Sequence, residues 1–217
     1  MRVFLFSLVA LAGACGDDRL GPVDTPADQP PGLPDLALVG AEMDGTVIIT
    51  QDTFLAGACE VVEGCVGATG TRRLLRFDTV TANIGTADLE VGVPPADGVD
   101  GGVFVWSGCH MHHHVTGYAT YELRDATGTV LGGHKQAFCL QDLQQVRAGA
   151  PSQGFSCARQ GLSAGWGDVY NRSLPCQWID VTTVPAGSYT LRVVINPERS
   201  LADEDPGNNE WTLEVSI

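Results

Sequence analysis

The chain has 217 residues, 44% of them hydrophobic, and 26 acidic against 12 basic side chains give it a formal net charge of −14. That length suffices for one well-packed domain and requires no second. The acidic balance argues against a nucleic-acid binder and against electrostatic attraction to anionic lipid; it suits solubility or a basic partner.

Residues 1–14, MRVFLFSLVALAGA, set one Arg before an apolar run that ends in small residues just ahead of Cys15. The run is too short to span a bilayer. It resembles a bacterial lipoprotein signal peptide, although Ala12 stands where that pattern usually has Leu. Cleavage before Cys15 would leave that cysteine to carry a lipid. The polar, Pro-rich segment 15–33 then reads as a flexible tether; the alternative is a mature N-terminus without an anchor. The implied location is export, either lipid-anchored to the cell envelope or secreted, with the membrane met only through the anchor.

From residue 34 to 217 the hydrophobic period is two and turn residues recur at short intervals. LALVGAEM, TVIIT, RLLRFDTVTANIG, TGYATYELRD and TVLGGHKQAFCL read as strands, and DATG at 125–128 as a hairpin turn. In SYTLRVVIN, Tyr189, Leu191, Val193 and Ile195 share one face. In EWTLEVSI, Trp211, Leu213, Val215 and Ile217 point inward and Glu210, Thr212, Glu214 and Ser216 outward. No long stretch has helical periodicity. The fold expected is all-β, a single sandwich-like domain with large irregular loops.

Setting Cys15 aside leaves Cys59, Cys65, Cys109, Cys139, Cys157 and Cys176, an even set that in an exported chain reads as a disulfide framework. Spacing does not choose among the pairings. Four of the five histidines fall within CHMHHH, Cys109 to His114. On a strand, residues two apart share a face roughly 6.5 to 7 Å apart, so His110, His112 and His114 would face one ion while His113 points elsewhere. Such nitrogen ligation suits copper(II), zinc or nickel, copper binding most tightly. A functionless surface cluster is the plainer alternative.

Eleven of the 12 basic residues are Arg, and the sole lysine is Lys135 in GGHKQAFC. Between a Gly-Gly pair and an apolar strand, its amine is placed for partial burial, which favours the neutral nucleophile. Compositional bias alone could also leave one lysine.

Together these residues resemble the catalytic domain of the lysyl oxidase family. The likeness runs in order through RLLRFDTVTANIGTADL, WSGCHMHHHVTGYATYELRDATG, GGHKQAFCLQD, GLSAGWGDVYN, CQWIDVTTVPAGSYTLRVVINP and DEDPGNN. The resemblance implies that His110, His112 and His114 hold copper and that Lys135 and Tyr170 combine into lysine tyrosylquinone, a cofactor built from the enzyme's own side chains. The implied activity is oxidation of a primary amine, such as peptidyl-lysine in a lysine-rich protein, by dioxygen to an aldehyde, with hydrogen peroxide and ammonia released. Thr120 stands where the family often has a histidine, so Asp168, two residues before Tyr170, is the candidate general base or else a structural turn residue. His113 stands where the animal enzymes have tyrosine, and Ser107 where they often have histidine.

The resemblance also implies a calcium site from Asp203, Asp205, Asn208 and Asn209, completed by Asp35 and the Leu36 carbonyl, an oxygen-rich set that suits that ion. It pairs Cys59 with Cys65 and Cys109 with Cys157. Gln145 and Trp166 stand where partners of Cys139 and Cys176 would be, leaving those two to pair with each other or stay free. Two other functions compete with the oxidase: a non-catalytic copper-binding sandwich, which leaves Lys135 and Tyr170 to coincidence, and an adhesion-like module, which leaves the histidines unexplained.

Overall fold

Alternating apolar and polar residues build most of the structure, a computed structural model that describes residues 32–217 without the side chains of residues 134–137. The leader, the Cys15 lipidation reading and most of the tether lie outside the described residues. Fourteen strands follow in chain order: β1 (Leu36–Leu38), β2 (Ile48–Phe54), β3 (Gly70–Arg76), β4 (Thr79–Asn83), β5 (Leu89–Gly92), β6 (Phe104–Ser107), β7 (His112–Arg124), β8 (Val130–Phe138), β9 (Gln144–Gln145), β10 (Gln160–Leu162), β11 (Trp166–Tyr170), β12 (Trp178–Asp180), β13 (Ser188–Ile195) and β14 (Glu210–Ser216). Two single-turn helices, α1 (Gly40–Met43) and α2 (Cys59–Val62), flank β2. No helix among the described residues is long and apolar enough to cross a membrane.

All named pairings are antiparallel. The largest sheet is centred on β7, which pairs with β13, β6 and β8, with β14 outside β13. A second sheet runs β1-β4-β11-β9, a third β12-β3-β2, and β10 pairs with β5. The predicted faces hold: Leu191, Val193 and Ile195 are fully buried and Tyr189 nearly so, while Glu210, Thr212, Glu214 and Ser216 are exposed. Tyr189, Leu191, Val193 and Ile195 join Tyr121, Leu123, Phe138 and Leu162 in the main core. Each large apolar side chain buried there contributes about 1.5–3 kcal/mol relative to exposure.

Two segments depart from the sequence reading. LALVGAEM is a strand only to Leu38; α1 then tucks Met43 fully into the core. Gly40 lies so close to Trp211 that a Cβ would stand 2.7 Å from its ring, a crowding no periodicity reports. RLLRFDTVTANIG divides after Arg76, its first half in the β3 sheet and its second in the β4 sheet. Phe77 is fully buried at the crossover, so the apolar run is continuous although the sheet is not.

All six cysteines expected to pair do so, but with other partners: Cys59 with Cys109, Cys65 with Cys176 and Cys139 with Cys157. This corrects the two pairings drawn from the resemblance, and Cys139 and Cys176 neither pair with each other nor stay free. Cys65 belongs to a second, smaller core with Phe54, Val66, Leu74, Cys176 and Trp178, and Trp178 Nε1 donates to the Cys65 carbonyl at 2.9 Å. It is thereby committed to Cys176, and Cys59 is left to reach the turn that carries Cys109. Cys139 leaves β8 beside the loop of Cys157, where Gly161 N donates to Leu140 O at 3.1 Å. The Cα–Cα distances of 5.7, 5.2 and 5.4 Å all suit a bridge.

Candidate metal centre and its cavity

The turn between β6 and β7 builds the site. Ser107 pairs with His112, and Met111 N donates to Ser107 O at 2.8 Å across the tight connection. Met111 takes φ +59°, the left-handed region a side chain seldom adopts. This corrects the strand reading of His110, which sits in the turn, while His112 and His114 lie on β7. The rings converge all the same, because the turn folds His110 back over the strand. His110 Nδ1 stands 3.2 Å from His114 Nε2, and His114 Nε2 3.0 Å from His112 Nε2.

These spacings fit a shared ion. Two nitrogens each about 2.0–2.1 Å from a metal lie about 2.9–3.4 Å apart at tetrahedral to right angles. Each histidine offers one ligand atom, and the three atoms lie within 4.8 Å of one another. The His112 and His114 rings are also biased toward the neutral form, the one that ligates. Burial, with the neighbouring His112 and His110 next in weight, pushes His114 down to about 4. His112 is lowered by burial and then by His110.

His113 points to the opposite side, as expected. It is buried, with Nε2 2.9 Å from Val99 O and its ring edge-on to Trp106 at 5.0 Å. Gln160 Nε2 donates to His113 O at 2.6 Å and its Oε1 accepts from Leu140 N at 3.1 Å. His113 and Gln160 thus fix the strand whose other face carries His112 and His114.

The histidines open onto a cavity of about 800 Å³ that Asp168 and Tyr170 also line. Both lie on β11, two residues apart and so on one face. Tyr170 Oη accepts from Cys139 N at 2.7 Å and donates to Cys139 O at 3.1 Å, and its ring packs on Phe138 at 3.7 Å between centroids. Burial pushes its phenol up, and the Asp168 charge adds to this. Lys135 pairs with Thr120 across β7 and β8, three residues before Phe138; its side chain lies outside the described residues.

Asp168 is 1% exposed, and neither carboxyl oxygen has a hydrogen-bond partner. Burial raises its carboxyl well above the usual range; the N–H groups of Gln141 and Val169 pull the other way without satisfying it, and the Asp142 charge reinforces the rise. Such a group favours the neutral acid and, once ionised, is a stronger base than an ordinary carboxylate. Asp142 itself is structural, accepting from Gly154 N, Phe155 N, Ser163 N and Ser163 Oγ.

Residues named for calcium gather where the β13–β14 loop meets β1. Asp203 Oδ1 accepts from Leu36 N at 3.0 Å and its Oδ2 from Asn209 Nδ2 at 2.5 Å; Asn208 Nδ2 donates to Asp35 Oδ1 at 2.9 Å. The amide oxygens of Asn208 and Asn209 are buried without a partner, which fits a hard cation. Asp205 accepts from Gly207 N at the start of the Pro206–Asn208 turn.

Sequence reasoning missed Glu63. It lines the same cavity, with Oε2 3.7 Å from His110 Nε2. Its only signal was a carboxylate in CEVVEGC, between two cysteines whose pairing was misread.

The lysyl oxidase family profile matches residues 50–217. The chain is 34% identical over 189 residues to lysyl oxidase homolog 2 of Homo sapiens, covering 81% of this chain and 23% of that protein. The homolog 2 of Gallus gallus is 35% identical with the same coverage, and lysyl oxidase homolog 3A of Danio rerio 37% identical over 81% of this chain and 24% of its own. The chain therefore spans about a quarter of the length of the curated relatives it matches. A matching profile over most of the chain, joined to relatives at this identity, settles the assignment: the chain belongs to the lysyl oxidase family.

Proposed function

We propose that this domain is a copper-dependent oxidase of primary amines, with lysine side chains of proteins as the substrate class, giving an aldehyde, hydrogen peroxide and ammonia. The proposal rests on the convergence of three imidazoles with Asp168 and Tyr170 on one cavity. His110, His112 and His114 would hold copper, and Lys135 with Tyr170 would form lysine tyrosylquinone. Bound copper would supply, with dioxygen, the oxidation that matures the cofactor, and the quinone would supply the electron sink for the amine.

The chain's own residues supply position and proton transfer. The two Tyr170 bonds to Cys139 and the Phe138 ring fix the aromatic plane. Asp168 on the same face takes the α-proton of the bound amine at a carboxylate oxygen, its raised affinity for protons suiting it to that task. Half-exposed Val105, Leu143 and Leu174 line the cavity and hold water back from the reacting carbon. The chain's acidity raises the encounter rate of cationic amines at low salt.

The same reading places calcium at Asp35, Leu36, Asp203, Asp205, Asn208 and Asn209, as a clasp between the last hairpin and β1. It has the chain exported, with Cys15 lipidated when the leader is removed. Amine-dependent peroxide release by copper-loaded protein tests the activity. Lys135→Arg should abolish release while copper stays bound, because guanidinium cannot act as the nucleophile. Full activity in that variant would rule out the cofactor assignment, and copper binding with no turnover of any amine would favour the non-catalytic copper sandwich.

A further inference from the structure

His110 is the one candidate ligand supplied by a turn, and a turn does not hold a ring as a strand does. Its Nδ1 faces His114 Nε2 at 3.2 Å, so its Nε2 lies on the other side of the ring from that contact. That Nε2 is buried and has no hydrogen-bond partner, and Glu63 Oε2 stands 3.7 Å from it. Glu63 is held in turn. Its Oε1 accepts from Ser107 Oγ at 2.7 Å, and Ser107 Oγ accepts from His110 N at 3.1 Å. One serine thus ties the carboxylate to the backbone of the residue it faces.

The covalent frame makes the placement a consequence of the fold. Glu63 N donates to Cys59 O at 2.8 Å, closing the α2 turn, and Cys59 is bridged to Cys109, the residue before His110. The bridge brings the end of α2 against the turn, and one helical turn later the chain presents Glu63 to the outer nitrogen of His110. A carboxylate there favours the tautomer with hydrogen on Nε2 and leaves the Nδ1 lone pair free for a metal.

We propose that Glu63 is the positioning residue of the metal centre, fixing the tautomer and ring plane of His110, and that Ser107 and the Cys59–Cys109 bridge serve to place it. This rests on the copper reading of the three histidines. In this role Glu63 acts through His110, whose outer nitrogen it faces.

The test is copper(II) affinity of the metal-free full chain, by competition with a chelating dye, together with the electron paramagnetic resonance spectrum of the copper-loaded protein and the melting temperature of the metal-free form. Glu63→Ala should weaken copper binding about 10- to 100-fold and alter the copper hyperfine splitting, with the metal-free melting temperature little changed. Glu63→Gln, which keeps an oxygen for Ser107 and His110, should recover part of the affinity, and it serves in place of Glu63→Ala should that variant fail to fold. Wild-type affinity and spectrum in the folded variant would overturn the proposal while leaving the copper site standing. Failure of the unmutated protein to bind copper would overturn the copper reading and this proposal with it.

Discussion

Replacing Asp168 by asparagine separates its two physical roles. The change keeps shape and removes both the proton acceptor and the buried charge. Loss of a positioned general base lowers kcat about 100- to 10,000-fold, or roughly 2.7–5.4 kcal/mol of barrier at about 1.36 per decade. Stability should move the other way. Asp168 is 1% exposed and unpartnered, and its folded pKa is raised. An unfolded aspartate titrates at about 3.9, so above that pH the unfolded chain releases a proton that the folded chain retains. The wild type then loses stability by about 1.4 kcal/mol per pH unit until the folded carboxyl ionises, whereas its stabilising contribution is complete below about pH 3.9. Asp168→Asn lacks that slope. Peroxide release measures kcat, phenylhydrazine titration of the quinone carbonyl shows whether the cofactor has formed, and denaturant melts at pH 4 and pH 8 measure stability. A variant with full quinone, kcat within threefold of wild type and lower stability at pH 8 than wild type would exclude both roles for Asp168.

Removing the Cys65–Cys176 bridge by double alanine substitution frees a loop of 111 residues, and chain entropy sets the loss at about 4.7 kcal/mol; urea melts measure it, and peptide mapping that found Cys59 joined to Cys65 would contradict the pairing. Calcium should raise the melting temperature of the wild type, by about 2.7 kcal/mol of stability at a hundredfold excess over its dissociation constant. Asp203→Ala should abolish that response by releasing Leu36 N and Asn209 Nδ2, and a wild type indifferent to calcium would remove the cation from the account.

What could be read in the sequence was what short-range periodicity encodes. The two faces of β13 and β14 follow from strict alternation, and so does the separation of His113 from His112 and His114. His110 was assigned to the right cluster for the wrong local reason. Its ring reaches the others through a turn strained at Met111, which a strand period does not describe. Tertiary facts were not legible. That Arg76 and Thr79 belong to different sheets depends on Phe77 reaching the core between them. Cysteine partners depend on which core each thiol enters, and Trp178 decided that for Cys65. Glu63 is hidden for the same reason, because the Cys59–Cys109 bridge and Ser107 together bring it to His110.

The first task of the three histidines is then to build a cofactor from two other side chains. Peptide mass spectrometry of copper-loaded, aerated protein reads the outcome. One cross-linked species joining the Lys135 peptide to the Tyr170 peptide is expected, absent from protein kept free of copper. Recovery of both peptides unmodified after full copper loading and aeration would contradict it.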